Sequence, residues 1–206
     1  MNLIKEYQSK ELYLIQKKIL SRLEKQILAD DIIELALLQT MSPIEDYENA
    51  MKVLEFFKNK VSDIRICIIG AYFSCMWDYN QEYSFIEDLK RNIEYYDGKV
   101  QSIIYYIFAW SEYVRDGERN TIIDYLTKSI SLYDQYVSNL LLFSEYLPRE
   151  EKKQCLCKIK KNIEKIQTEV EIQEYNDEIF INPEYFWKTQ IEQVWVDEYF
   201  YRENFI

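Results

Sequence analysis

Histidine is missing from all 206 residues of this chain. Its absence removes the commonest general base, the usual partner of a Ser or Cys nucleophile and the commonest metal ligand. Glycine is nearly missing as well. Gly70, Gly98 and Gly117 are the whole supply, and no phosphate-cradling glycine-rich loop can be written with them. Proline also numbers three, so turn devices are few and flexible linker is scarce. Long hydrophobic runs are lacking: the longest, 66–77, holds twelve residues and follows Arg65, too short to span a bilayer. The start, Met1-Asn2-Leu3-Ile4-Lys5-Glu6, has no cationic region ahead of an apolar core, so no secretory signal is expected. A cytosolic protein with no membrane association follows as the expectation.

The four cysteines are Cys67, Cys75, Cys155 and Cys157. In the cytosol such thiols stay reduced. Cys155-Leu156-Cys157 is C-x-C and not the C-x-x-C of zinc or redox sites. On a helix, residues i and i+2 point about 200° apart, so the two sulfurs could not grip one ion. Four free thiols, mainly buried structural ones, with no metal and no cofactor, are expected.

Positive charge is short: 25 Lys and Arg stand against 36 Asp and Glu, a net charge of −11. The imbalance is lopsided. Residues 164–206 hold eleven acids and three bases, a net of −8, together with ten of the 33 aromatic side chains. Nucleic acid is thus excluded as the natural partner, because phosphate contacts need a positive surface. A cationic protein surface fits better.

What is present in quantity is helical periodicity. Ala50/Val53/Phe57, Ile86/Leu89/Ile93, Ile123/Leu126/Ile130 and Leu156/Ile159/Ile163 each follow i, i+3, i+7, one stripe of an α-helix. The stripes are offset by 36, 37 and 33 residues, the sequence signature of stacked helical hairpins. Helices are predicted over 3–28, 30–40, 42–60, 62–78, 82–96, 98–115, 119–134, 135–147 and 149–167. The first has Ile4, Leu12, Ile15, Ile19, Leu23 and Ile27 on or near one face. Ser42-Pro43-Ile44-Glu45 is a start signal, and Asp97-Gly98 and Asp116-Gly117 are natural breaks. The helix over 62–78 is apolar on most sides and should be central.

This pattern resembles the tetratricopeptide repeat superfamily over about residues 30–165. In the best unit, Ile66, Ile69, Gly70 and Phe73 match the large, large, small, large pattern of the first helix, and Ile86 and Leu89 match the second. The next unit keeps Ile103, Tyr106, Ile107 and Trp110, then Ile123 and Leu126. It departs at Ile107, where a small residue belongs, and the closing Pro is missing. The resemblance implies an all-α fold of antiparallel helical hairpins stacked as a right-handed repeat, and a protein- or peptide-binding role. A plain helical bundle with regular hairpins is the alternative. The organisation expected is one domain over 1–206: an N-terminal helix in 1–29, repeats in 30–167 and an acidic aromatic segment in 168–206.

In that last segment, Thr168 to Glu174 alternates with period two, Tyr175-Asn176-Asp177 can turn it, and Glu178 to Ile181 can return, which allows a small β-hairpin. Asn182-Pro183-Glu184 then opens a helix over 183–203, with Trp187, Ile191 and Val194 on one face. That helix has two readings: a cap sealing the repeat stack, or an interface. For the interface, Glu192, Asp197, Glu198, Tyr199, Tyr201 and Glu203 are the candidate partner-binding residues. Aromatics supply anchors of large contact area, and carboxylates steer a basic partner.

Two other charged clusters stand out. Asp30/Asp31/Glu34 and Glu45/Asp46 sit near predicted helix starts, where acids favour the dipole. Residues 149–161 carry six bases against two acids and read as the solvated outer face of the last repeat helix. No catalytic residue emerges from the sequence. The expected function is non-catalytic binding of a basic protein or peptide. In these general terms the chain is similar to bacterial immunity proteins, which neutralise toxins. A peptide-sensing or adaptor repeat protein is the sibling reading, and a carboxylate-based hydrolase is the reading from a different class.

Overall fold

A computed structural model describes residues 3–40, 47–76, 84–135 and 137–173. Among these there are nine α-helices and no strand. The first five are α1 (Leu3–Leu23), α2 (Ala29–Thr40), α3 (Tyr47–Phe57), α4 (Ile64–Met76) and α5 (Phe85–Asn92). A single 3₁₀ turn, Ile93–Tyr95, follows. Then come α6 (Gly98–Val114), α7 (Arg119–Leu132), α8 (Val137–Ser144) and α9 (Arg149–Gln173). None of the described helices is long and apolar enough to cross a membrane. The chain divides into two compact units, one up to Asn92 and one from Ile93.

In the first unit each helix packs on the next, and α2 also touches α4. The all-round apolar segment is indeed central: α4 contacts α2, α3 and α5. Its Ile66, Ile68, Ile69, Ala71 and Phe73 are buried. Each such isoleucine or phenylalanine side chain stabilises the fold by about 1.5–3 kcal/mol relative to exposure. Gly70 lets α5 approach, because a Cβ there would sit 2.6 Å from the ring of fully buried Phe85. A glycine at this position is therefore required by a real contact.

In the second unit α6 packs on α7, α7 on α8, α8 on α9, and α6 also touches α8. The first and last pairs are antiparallel: Ser102 meets Ser129 while Tyr105 meets Tyr125, and Asp134 meets Lys158 while Glu145 meets Lys152. Asp97 caps α6, its carboxylate accepting from the N–H of Lys99 (2.9 Å) and Val100 (3.0 Å). The break after α6 uses both residues of Asp116-Gly117. Asp116 takes the left-handed conformation, φ 52°, and Gly117 donates its N–H to Glu112 O at 2.8 Å. A Cβ on Gly117 would lie 3.0 Å from that same oxygen.

The structure corrects four details. The predicted stripes mix core and boundary positions, and Ala50 and Ile86 are among the buried ones. Their central members Leu89, Leu126 and Ile159 are fully buried, but Val53, Phe57, Ile123, Ile130 and Leu156 are half-buried. The deepest line keeps Ala50 and Leu126 but otherwise shifts by one residue, to Met51 and Leu54 in α3 and to Ile122 and Ser129 in α7. Second, α1 stops at Leu23, and Ile27 lies outside it with 44% exposure. Third, α9 runs through Gln173, so residues 168–173 of the expected first strand are helical. Ile159, Ile163, Ile166 and Val170 also recur at helical spacing, and no breaker interrupts propagation once the helix is nucleated. Fourth, the C-x-C thiols are not core: Cys155 is half-buried and Cys157 exposed, whereas Cys75 is buried. Ser42-Pro43-Ile44-Glu45 and the return strand and final helix of 174–206 lie outside the described residues.

Candidate functional site

The six candidate partner-binding residues, Glu192, Asp197, Glu198, Tyr199, Tyr201 and Glu203, lie outside the described residues, as do Glu45 and Asp46. The remaining candidate carboxylates can be placed. Asp30 and Asp31 occupy the first turn of α2, as expected for acids at a helix start.

They also do something periodicity could not show. Arg22, at the end of α1, donates from Nε to Asp31 Oδ1 at 2.6 Å and from Nη2 to Glu34 Oε2 at 2.7 Å. Arg65, in the first turn of α4, pairs through Nη1 with Asp30 Oδ1 and through Nη2 with Asp63 Oδ2, both at 2.7 Å. Two guanidiniums thus tie α1, α2 and α4 at one corner. Hydrogen bonding to Asp31 raises the Arg22 pKa, and hydrogen bonding to Asp63 raises that of Arg65. For Asp63 burial opposes the charge, but the bonds from Arg65 together outweigh it and hold the carboxyl below its ordinary value. Asp30, Asp31 and Glu34 act here as ion-pair acceptors, each facing a guanidinium.

A second ionic knot joins α3 to α5. Lys58 Nζ pairs with Glu55 Oε1 at 2.9 Å and Asp88 Oδ2 at 2.7 Å, donates to Ser84 Oγ, and lies 5.0 Å from the centre of the Phe85 ring. The Lys58 side chain is only 5% exposed. Such a buried cation is tolerated because every side of it meets an acceptor or a π face. Cys67 is pushed up to about 11 by burial, with Asp88 adding to the effect.

The second unit carries a buried polar knot. Ser102 Oγ donates to Ser129 O at 2.9 Å, and Ser129 Oγ donates to Ser102 O at 2.7 Å. Reciprocal hydroxyl-to-carbonyl bonds of this kind require two helix backbones in close approach, which only small side chains allow. Asn139 of α8 donates from Nδ2 to Ser129 Oγ at 2.9 Å and to Tyr133 O at 3.3 Å, covering a carbonyl left open at the end of α7. All three side chains are buried. Sequence reasoning missed them. The available signal was Ser129 itself, a polar residue falling in phase with Ile122 and Leu126.

The basic run of 149–161 lies on α9 as a polar outer face, with Ile159 turned into a cluster with Leu140 and Leu141. Lys158 pairs with Asp134 at 2.7 Å and Lys153 with Glu150 at 3.2 Å. Among the described residues no group of three or more Cys, Asp or Glu side chains is arranged to hold a metal ion. No protein-family model matches the chain, and neither the curated proteins nor the solved structures contain a significant match to it.

Proposed function

We propose that this chain is a non-catalytic protein-interaction protein, a tetratricopeptide-repeat-like stack of helical hairpins that engages a basic protein partner through its acidic, aromatic C-terminal segment. One observation carries this reading. The placed candidate carboxylates Asp30, Asp31 and Glu34 are engaged by Arg22 and Arg65, whereas a net −8 is concentrated in residues 164–206. Like charges so concentrated repel one another, and a partner of opposite sign relieves the repulsion. Tyr199 and Tyr201 would supply contact area, and Glu192, Asp197, Glu198 and Glu203 would steer the encounter. A toxin neutralised in the manner of a bacterial immunity protein is the partner class this chemistry suits best, and the setting would be the bacterial cytoplasm.

The adaptor reading draws on a different observation. Within each unit the first helices of successive hairpins, α2 with α4 and α6 with α8, touch one another as well as the helix between them. Successive first helices would then line one face on which a peptide could lie. The two readings separate by experiment. A partner is captured from the native host, identified by mass spectrometry and expressed for kinetics. On the interface reading, reversing Asp197 and Glu198 to Lys slows association and flattens its salt dependence while thermal stability holds. Unchanged association at low salt would move the interface to the helical repeats. A turnover activity that survives in the purified chain and dies with Asp31→Asn or Glu34→Gln would restore the carboxylate hydrolase.

A further inference from the structure

We propose that the acidic segment following α9, residues 174–206, docks in cis on the outward cationic face of α9 around Lys160 and Lys161, as a latch that a more basic partner displaces. The inference rests on the function proposed above and adds its regulation.

The argument starts from the way α9 is seated. Ile159 is fully buried and Leu156 half-buried against α8. A helix turns about 100° per residue, so residues 157 and 161 point about 160° away from Ile159, with 153 and 160 on the flanks at about 120° and about 100°. Lys153, Cys157, Lys160 and Lys161 are exposed accordingly. The other lysines of this stretch are spoken for: Lys152 by Glu145, Lys153 by Glu150 and Lys158 by Asp134. Lys160 and Lys161 make no ion pair among the described residues. Directly downstream, residues 174–206 hold eight acids against two bases. The two charges are opposite in sign and adjacent in the chain.

Reach presents no obstacle. Lys161 lies about 18 Å along the helix from Gln173, at about 1.5 Å per residue. Thirty-three residues can extend several times that distance. A single exposed ion pair is weak. Tethering raises the effective concentration to the order of millimolar, which favours occupancy while leaving the contact open to salt and to competition. A latch of this strength suits a segment that must be surrendered to a partner.

The test uses the full chain. Equal amounts of ordinary and nitrogen-15-labelled protein are mixed, treated with a carbodiimide at low salt, and mapped by mass spectrometry. The expected products are amide links from Lys160 or Lys161 to carboxylates within 174–206, isotopically unmixed, falling about fivefold or more in about 0.5 M salt. In parallel, Cys157 is alkylated with iodoacetamide, a neutral reagent. Salt should speed its reaction by releasing the segment, and K160E/K161E should speed it at low salt. Without a latch, Cys157 is equally open at either salt concentration, and its reaction with this neutral reagent does not speed up. Isotopically mixed links, no links from either lysine, or a rate that does not rise with salt would each overturn the latch. Partner association measured on the same protein separates the two ideas. Links absent with binding intact remove only the latch; links present with binding unaffected by the Asp197 and Glu198 reversal remove only the proposed interface.

Discussion

Gly70→Ala would ordinarily stabilise a helix interior by about 1 kcal/mol, through propensity alone. In this protein the sign should reverse. A Cβ at Gly70 would sit 2.6 Å from Cε1 and 2.7 Å from Cδ1 and Cζ of Phe85. Carbon atoms settle at about 3.5–4.0 Å, so the ring would have to retreat by roughly 1 Å. Phe85 is fully buried in α5, and Lys58 stands over its face, held there by Glu55 and Asp88. The ring therefore cannot withdraw without disturbing the ionic knot. Overpacking of this kind costs about 1–3 kcal/mol. Set against the propensity gain, the net expectation is a loss of about 1 kcal/mol. Urea unfolding followed by far-ultraviolet circular dichroism reads it directly. The decisive comparison is a double-mutant cycle with Phe85→Leu, which removes the clashing ring atoms. If the contact is the cause, Gly70→Ala should turn neutral or stabilising in the Phe85→Leu background, a favourable coupling of about 1 kcal/mol or more. A Gly70→Ala variant that gains stability on its own, or a coupling of zero, would refute the reasoning.

Three further outcomes are expected. Leu126→Ala, at a fully buried position on α7, should cost about 2–5 kcal/mol in chemical unfolding, and a cost near zero would remove α7 from the core. The Asp63 carboxyl, held below its ordinary 3.8 by Arg65 against the cost of its own burial, contributes stability that is complete above 3.8 and is lost as pH falls through its lower folded value; Asp63→Asn should therefore flatten the acid limb of stability below that pH, and an unaltered limb would count against the pair. Of the four thiols, Cys157 should react first with a chromogenic disulfide and Cys75 only on unfolding; Cys67, pushed up to about 11 by burial, should lag, and stoichiometric zinc lost together with structure on chelation would overturn the reading of four free thiols.

The helices themselves were legible in the sequence, and so were most of their ends. Every stripe lies on a helix or its adjoining turn, and Asp97-Gly98 and Asp116-Gly117 break the chain where expected, because periodicity and caps are local properties set within a turn or two. Where two local signals coincided, sequence could not arbitrate. Residues 168–173 fit both a period of two and a helical repeat, and continuity with α9 decided for the helix. The crossing points were beyond reach for a different reason. That Ser102 faces Ser129, that Gly70 receives Phe85, and that Arg22 and Arg65 meet Asp31 and Asp30 depend on how helices are rotated about their axes. A one-residue error in a stripe is a rotation of about 100°, enough to exchange a boundary residue for a core one. Only packing fixes that angle, because it is set by the volumes of side chains from distant parts of the chain. The sequence by itself therefore determined an array of helices with a charge imbalance at one end. The tertiary structure decided which carboxylates are bound into ion pairs and which faces remain outward.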